Sequence, residues 1–209
     1  KVPCDPATYG QFYAGDSYIV LYTYIKGSSE EYMLYFWQGN NSSQDEKGAS
    51  ALLASAMDDE MGGKPVQCRV VQGKEPAHFR ALFKGKMVIH SGGKASGFKN
   101  STEGDSYDED GVSLYHIKGT DASNTHGCQV PEEAKYLNSG DCFVLLTPAT
   151  MFIWNGGGAS DDEKATGASI AALLADQVPP GGRAVVTVAE GEEPDEFWAA
   201  VGGKAEYPK

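Results

Sequence analysis

Two short stretches set an aspartate directly ahead of an apolar run: YAGDSYIVLY (Tyr13 to Tyr22) and NSGDCFVLL (Asn138 to Leu146). A charge entering a buried strand is costly unless a group pairs with it. Each aspartate, Asp16 and Asp141, is followed by a glutamate in a Ser-x-x-Glu pattern, Ser43 to Glu46 and Ser160 to Glu163. That spacing is a capping box, in which the glutamate bonds back to the start of a helix. A turn aspartate and a capping glutamate would account for a single copy. Their recurrence among changed neighbours argues for more. Strand starts and helix starts can meet at one end of a sheet, where two carboxylates repel unless a cation lies between them. Calcium fits such a place, because it takes about six to eight oxygens from carboxylates, carbonyls and water.

Other chemistries find less support. SYDEDG (Ser106 to Gly111) would need an oxygen ligand at Ile117 to close an EF-hand loop, and isoleucine has none. SGGKAS lacks the Ser or Thr of a P-loop directly after Lys94, and NGGGAS (Asn155 to Ser160) reads as a turn before a helix cap. The four cysteines (Cys4, Cys68, Cys128, Cys142) form no C-x-x-C pair, which argues against zinc and for reduced thiols. The histidines (His78, His90, His116, His126) show no ligand spacing and read as surface or packing residues. Hydrolysis by the carboxylate pairs would need a cleft with a positioned acid and base, so the chain is not expected to be an enzyme.

The elements that hold these residues are written twice. YFWQGNNSSQDEKGAS (Tyr35 to Ser50) matches FIWNGGGASDDEKATG (Phe152 to Gly167), and VVQGKEPAHFRALFKGK (Val70 to Lys86) matches TVAEGEEPDEFWAAVGGK (Thr187 to Lys204). Trp37 pairs with Trp154, Glu46 with Glu163 and Pro76 with Pro194 at a nearly constant offset. Each copy predicts a strand (Tyr18 to Tyr24; Cys142 to Leu146), a second strand ending in Trp-x-Gly, and a long helix opened by the capping box. A third strand (Val66 to Val71; Ala184 to Val188) and a short helix with Pro in its first turn follow. The fold class is α+β: two domains, each a mixed β-sheet sandwiched between one long and one short helix. Polar, Gly/Ser-rich sequence from Ser91 to Gly111 separates them, giving domains at 1–95 and 112–209 with a linker at 96–111.

Composition bounds the partners. With 29 acidic and 17 basic residues the formal net charge is −12, which disfavours nucleic acid and favours cations or basic protein patches. Apolar residues make up 41%, enough for a packed core. No run is long and apolar enough to span a membrane, and KVPCDPATYG carries no visible secretory signal.

DPATYGQFYAGDSYIVLYTY, FWQGNNSSQDEKGASA and DDEMGGKPVQCRVVQGKEPAHF together resemble the gelsolin/villin/adseverin superfamily of actin regulators, and the resemblance covers nearly the whole chain. The first copy is most similar to the fourth domain of six-domain members and the second to the fifth, although GGKASGFKN (Gly92 to Asn100) resembles the linker after a first domain. The resemblance implies a calcium-dependent actin-binding module of a filament severing and capping protein, cytoplasmic and cytoskeletal. A structural calcium-binding pair, or a severing fragment of first- and second-domain type, are the alternatives. It implies one internal calcium ion held by the Gly15 carbonyl, Asp16, Glu46 and a carbonyl near Lys94. A second would be held by the Gly140 carbonyl, Asp141 and Glu163. A third ion, shared with actin, would take Asp58 and the carbonyls of Gly63 and Pro65, a spacing that Asp176 and Gly181 echo weakly. Leu52, Ala56 and Asp59 (i, i+4, i+7) would face an actin cleft, with Phe98 running along actin, while Leu53 and Met57 are better placed for the core. Lys84, Lys86, Lys94 and Lys99 are the local basic cluster, for which phosphoinositides are a further partner against the plainer reading of a solvated face. Neighbouring gelsolin-like domains are implied if the chain is a fragment.

Overall fold

A strand buried on both faces must be apolar at every position, and CFVLL (Cys142–Leu146) is. In the computed structural model, which describes residues 2–93, 111–175 and 183–209, this strand lies inside a seven-stranded sheet. The strands of that sheet are β1 (Gln11–Tyr13), β5 (Val88–His90), β6 (Ser113–Lys118), β7 (His126–Val130), β8 (Cys142–Leu146), β9 (Thr150–Asn155) and β10 (Ala184–Ala189), in the order β1-β5-β7-β6-β8-β9-β10. Side chains alternate across β8. Cys142, Val144 and Leu146 join Met151, Ile153, Ile170 and Leu174 on one face. Phe143 and Leu145 join Phe152, Trp154, Phe197 and Val201 on the other. Helix α3 (Asp161–Ala175) covers the first face and α4 (Asp195–Ala200) the second.

The first copy forms a three-stranded sheet, β2 (Ser17–Lys26), β3 (Ser29–Gln38) and β4 (Val66–Val71), in that order. β2 and β3 are an antiparallel hairpin in which Lys26 pairs with Ser29, and Gly27 at φ +65° makes the tight turn. β3 and β4 are parallel, so the chain must cross over between them. Helix α1 (Gln44–Glu60) makes that crossover, as α3 does between the parallel strands β9 and β10. A short helix, α2 (Ala77–Ala81), follows β4.

By internal contacts the described chain forms two compact units. One contains residues 12–76 and 91–93; the other contains 2–11, 77–90, 111–175 and 183–209. Among the described residues no helix is long and apolar enough to cross a membrane.

Both copies repeat one buried polar link. Trp37 Nε1 donates to Glu75 (3.1 Å), which also accepts from Gly73 N (3.0 Å). Trp154 Nε1 donates to Glu193 (2.8 Å), which also accepts from Gly191 N (2.9 Å). The carboxylate ties the second strand of each copy to the turn after its third strand and satisfies an indole that the core would otherwise strand.

One expectation about α1 fails. Its buried residues are Ser50 and Ala54, while Leu53 stays 36% exposed and Met57 is only partly buried. The corresponding residues of α3, Ile170 and Leu174, are buried. The difference is in what packs there: Ile170 lies against β6 and β7, close enough that a Cβ on Gly127 would come within 2.7 Å of it.

Candidate functional site

The strand-leading aspartates occupy the same backbone frame in both copies. Gly39 N donates to the Asp16 carbonyl, and Gly156 N to the Asp141 carbonyl, each at 3.0 Å. The glycine of the Trp-x-Gly turn thereby fixes where each aspartate side chain starts. The helix caps also match. Glu46 accepts from Ser43 N (2.8 Å) and Ser43 Oγ (2.9 Å), and Ser43 Oγ accepts from Glu46 N, a complete capping box. Glu163 makes the same bonds with Ser160.

In the second copy the two predicted carboxylates meet. The Glu163 side chain lies within hydrogen-bonding reach of Asp141, and Glu163 is buried. Asp141 Oδ2 also accepts from Asn138 Nδ2 (2.8 Å) and lies 2.6 Å from His116 Nε2. Burial pushes the Asp141 carboxyl up, but hydrogen bonds from Asn138 and His116 outweigh it and hold the group below its usual range. Gly140, whose carbonyl was assigned to the ion, is held by its N–H donating to Asn138 Oδ1 (2.9 Å). His116, read from sequence as a surface or packing residue, faces Asp141 with its ring stacked on Phe143 (4.7 Å between centroids). Neither His116 nor Asn138 was singled out by the sequence, because strand pairing, not spacing, brings His116 beside the β8 entry: it pairs with Phe143.

In the first copy Asp16 is buried and its Oδ2 accepts from Tyr18 OH (3.2 Å). Burial, and then the Asp16 charge, push the Tyr18 phenol well above its usual range, so it remains a donor. Gly15 N donates to Gly92 O (2.6 Å), which seats the Gly92–Gly93 segment against the turn that carries Asp16. The strand entry connects to Glu46 through two hydroxyls: Ser17 Oγ lies 2.8 Å from Ser42 Oγ, and Ser42 Oγ donates to Glu46 (3.4 Å).

At the end of α1, Asp58 Oδ2 accepts from Gln67 Nε2 (2.8 Å), whereas among the described residues its Oδ1 is buried with no hydrogen-bond partner. The Asp58 carbonyl accepts from Met61 N (3.1 Å) and Gly63 N (2.9 Å), turning the chain back through Gly62 and Gly63, both at φ +71°. Pro65 is buried just beyond. On the same helix Leu52 is 74% exposed, and Ala56 and Asp59 are also exposed, so the three form an outward stripe.

Among the described residues no cluster of three or more His, Cys, Asp or Glu side chains could hold a metal by itself. The implied sites ask for less, two carboxylates or one, completed by carbonyls. The chemistry of that donor set fits calcium: oxygen only, with a buried oxygen at Asp58 that lacks a partner among the described residues. Lys94, Phe98, Lys99, Asp176 and Gly181 lie outside the described residues; of the basic cluster, Lys84 and Lys86 are exposed. All four cysteines are free thiols, and Cys142 Sγ donates to Asn155 Oδ1 (3.2 Å).

The family profile described as Gelsolin repeat matches residues 1–80 and 129–198. Among curated proteins the chain is 53% identical to "Gelsolin, cytoplasmic" of Homarus americanus over 98% of its length and 26% of that protein's. It is 46% identical to Advillin of Mus musculus, over 99% of this chain and 24% of that one. It is 42% identical to Gelsolin of Xenopus laevis, over 99% of this chain and 47% of that one. The chain thus spans between about a quarter and about half the length of these relatives. Twice-written carboxylate frames, twice-written indole locks and the profile match agree: the chain belongs to the gelsolin-repeat family.

Proposed function

We propose that this chain is a calcium-responsive actin-binding module of a cytoplasmic severing or capping protein, built from a fourth-type domain at 1–95 and a fifth-type domain at 112–209. The observation that carries the proposal is Asp58 Oδ1, buried and, among the described residues, without a hydrogen-bond partner at the end of the helix whose exposed stripe is Leu52, Ala56 and Asp59. Asp58 and the carbonyls of Gly63 and Pro65 would hold a calcium ion that remains under-neutralised until a carboxylate of actin completes it. Calcium and actin then bind as one linked event. Asp16 with Glu46, and Asp141 with Glu163, would hold the internal ions, whose chemistry is to neutralise paired carboxylates. The α1 stripe would dock in an actin cleft as a helix in a groove.

The test is actin co-sedimentation with the wild-type chain and Asp58→Ala, each with calcium and with chelator. Calcium-dependent binding should weaken in the variant while calcium at Asp16 and Glu46 survives. Binding that ignores both calcium and Asp58 would reject the proposal and leave a structural calcium-binding pair.

A further inference from the structure

In the first copy the start of α1 leaves a cleft of about 560 Å³ over β3 and β4, walled by Phe36, Ala51 and Val71 and by the cations Lys47 and Arg69. Small-molecule sites span about 300–1,000 Å³. β4 ends its sheet as β10 ends the other, so at this side the two copies have the same strand neighbours and differ in side chains. Acids outnumber bases by 29 to 17 in the chain, yet none of the described residues lining the cleft is acidic. Gln38, 3% exposed, sets the cations in place. Its Oε1 accepts from Arg69 Nε (2.9 Å), and its Nε2 donates to the Lys47 carbonyl (2.9 Å) and to Ser50 Oγ (3.2 Å). Held through Nε, Arg69 keeps both Nη groups for another partner, and Lys47 Nζ donates to the Asn40 carbonyl (3.2 Å). Among the described residues neither cation has a carboxylate partner. The second copy neutralises or removes both. Arg69 stands opposite Phe36, and its counterpart opposite Ile153 is Thr187. Lys164, the counterpart of Lys47, lies 3.9 Å from Asp161, where the first copy has Gln44.

We propose that this cleft is a binding site for a small organic phosphomonoester with an apolar body. A phosphomonoester is close to doubly charged at pH 7, so it balances the two cations where a single carboxylate would leave one over. The guanidinium fork, oriented by Gln38, suits two parallel bonds to phosphate oxygens, and Lys47 adds a point charge. Phe36, Ala51 and Val71, all half-buried, favour an apolar body behind the phosphate over a sugar or a glycerol. None of the predicted calcium ligands lines the cleft, and neither does the outward stripe of Leu52, Ala56 and Asp59. Binding there needs neither calcium nor actin.

The test titrates phenyl phosphate into the whole chain in chelator, followed by amide chemical shifts and calorimetry. Saturable binding should shift the amides of Phe36, Lys47, Gly48 and Arg69. Arg69→Thr and Gln44→Asp, which install the second copy's residues at exposed positions, should each weaken binding by about tenfold or more. Lys26→Gln, at the far end of the β2–β3 hairpin, should leave it unchanged. Glycerol 3-phosphate, with the same charge on a polar body, should bind more weakly. Absence of saturable binding, shifts centred away from the cleft, or full affinity in both Arg69→Thr and Gln44→Asp would overturn the proposal. So would an equal loss in Lys26→Gln, or equal affinity for glycerol 3-phosphate.

Discussion

Replacing Glu163 with glutamine should change stability with opposite sign in the absence and presence of calcium. Glutamine still completes the cap with Ser160, because its amide oxygen accepts as the carboxylate does. Its amide N–H can then donate to Asp141, where the wild type sets two carboxylates together. When both carboxyls are ionised, two like charges about 4 Å apart at an effective dielectric of about 20 repel by about 4 kcal/mol. The Asp141 side chain keeps 27% of its exposure and has His116 and Asn138 as neighbours, which reduces the relief to on the order of 1 kcal/mol. Without calcium, the variant should therefore be more stable by about 1 kcal/mol. With calcium at a hundredfold excess over its dissociation constant, the wild type gains about 2.7 kcal/mol. The variant, with one charged ligand removed, should gain little. Urea denaturation followed by circular dichroism, in chelator and in calcium, measures both arms. A variant destabilised in chelator, or one with the wild-type calcium shift, would refute the claim that these carboxylates await a shared cation.

Ile170→Ala should cost about 2–5 kcal/mol, because the side chain is fully buried, whereas Leu53→Ala should cost no more than about 1 kcal/mol at a site 36% exposed; urea midpoints compare them directly. A thiol-reactive probe on the native chain should label exposed Cys4 first and spare Cys142, whose thiol burial, and then the Glu163 charge, push up to about 12, as peptide mass mapping would show. Acid should unfold the chain in part through Glu190 and Glu193. Ser139 and Gly157 N lower the first; burial raises the second, but the Trp154 indole and Gly191 N outweigh it. Groups lowered in the folded state contribute stability that is present above their unfolded pKa, about 4.3 for Glu, and lost as pH falls through their folded values. The pH slope of the urea midpoint below about 4.3 should accordingly flatten in Glu190→Gln.

The sequence disclosed whatever depends on neighbours along the chain. Aromatic and β-branched enrichment located β2 and β8, and Ser-x-x-Glu located the first turns of α1 and α3 to within a residue. The resemblance, not the spacing, set Leu52, Ala56 and Asp59 outward on α1, and all three are exposed. The reading of Leu53 as core failed, because helical spacing says which residues share a face and not what packs against it. His116 beside Asp141 was illegible for the same reason: cross-strand register, not local pattern, brings them together. Glu75 and Glu193 each stand directly ahead of a proline, and only the folded core reveals the indole each one holds.

Those indole locks give the molecule its own optical labels. Of three tryptophans, Trp37 belongs to the unit of residues 12–76, and Trp154 and Trp198 to the other. An indole N–H bound to a carboxylate in a dry interior emits at a different wavelength from one released to water. Substituting phenylalanine for Trp37, or for Trp154 and Trp198 together, would leave emission from one half alone, so melting of either half could be followed in the intact chain without any attached dye.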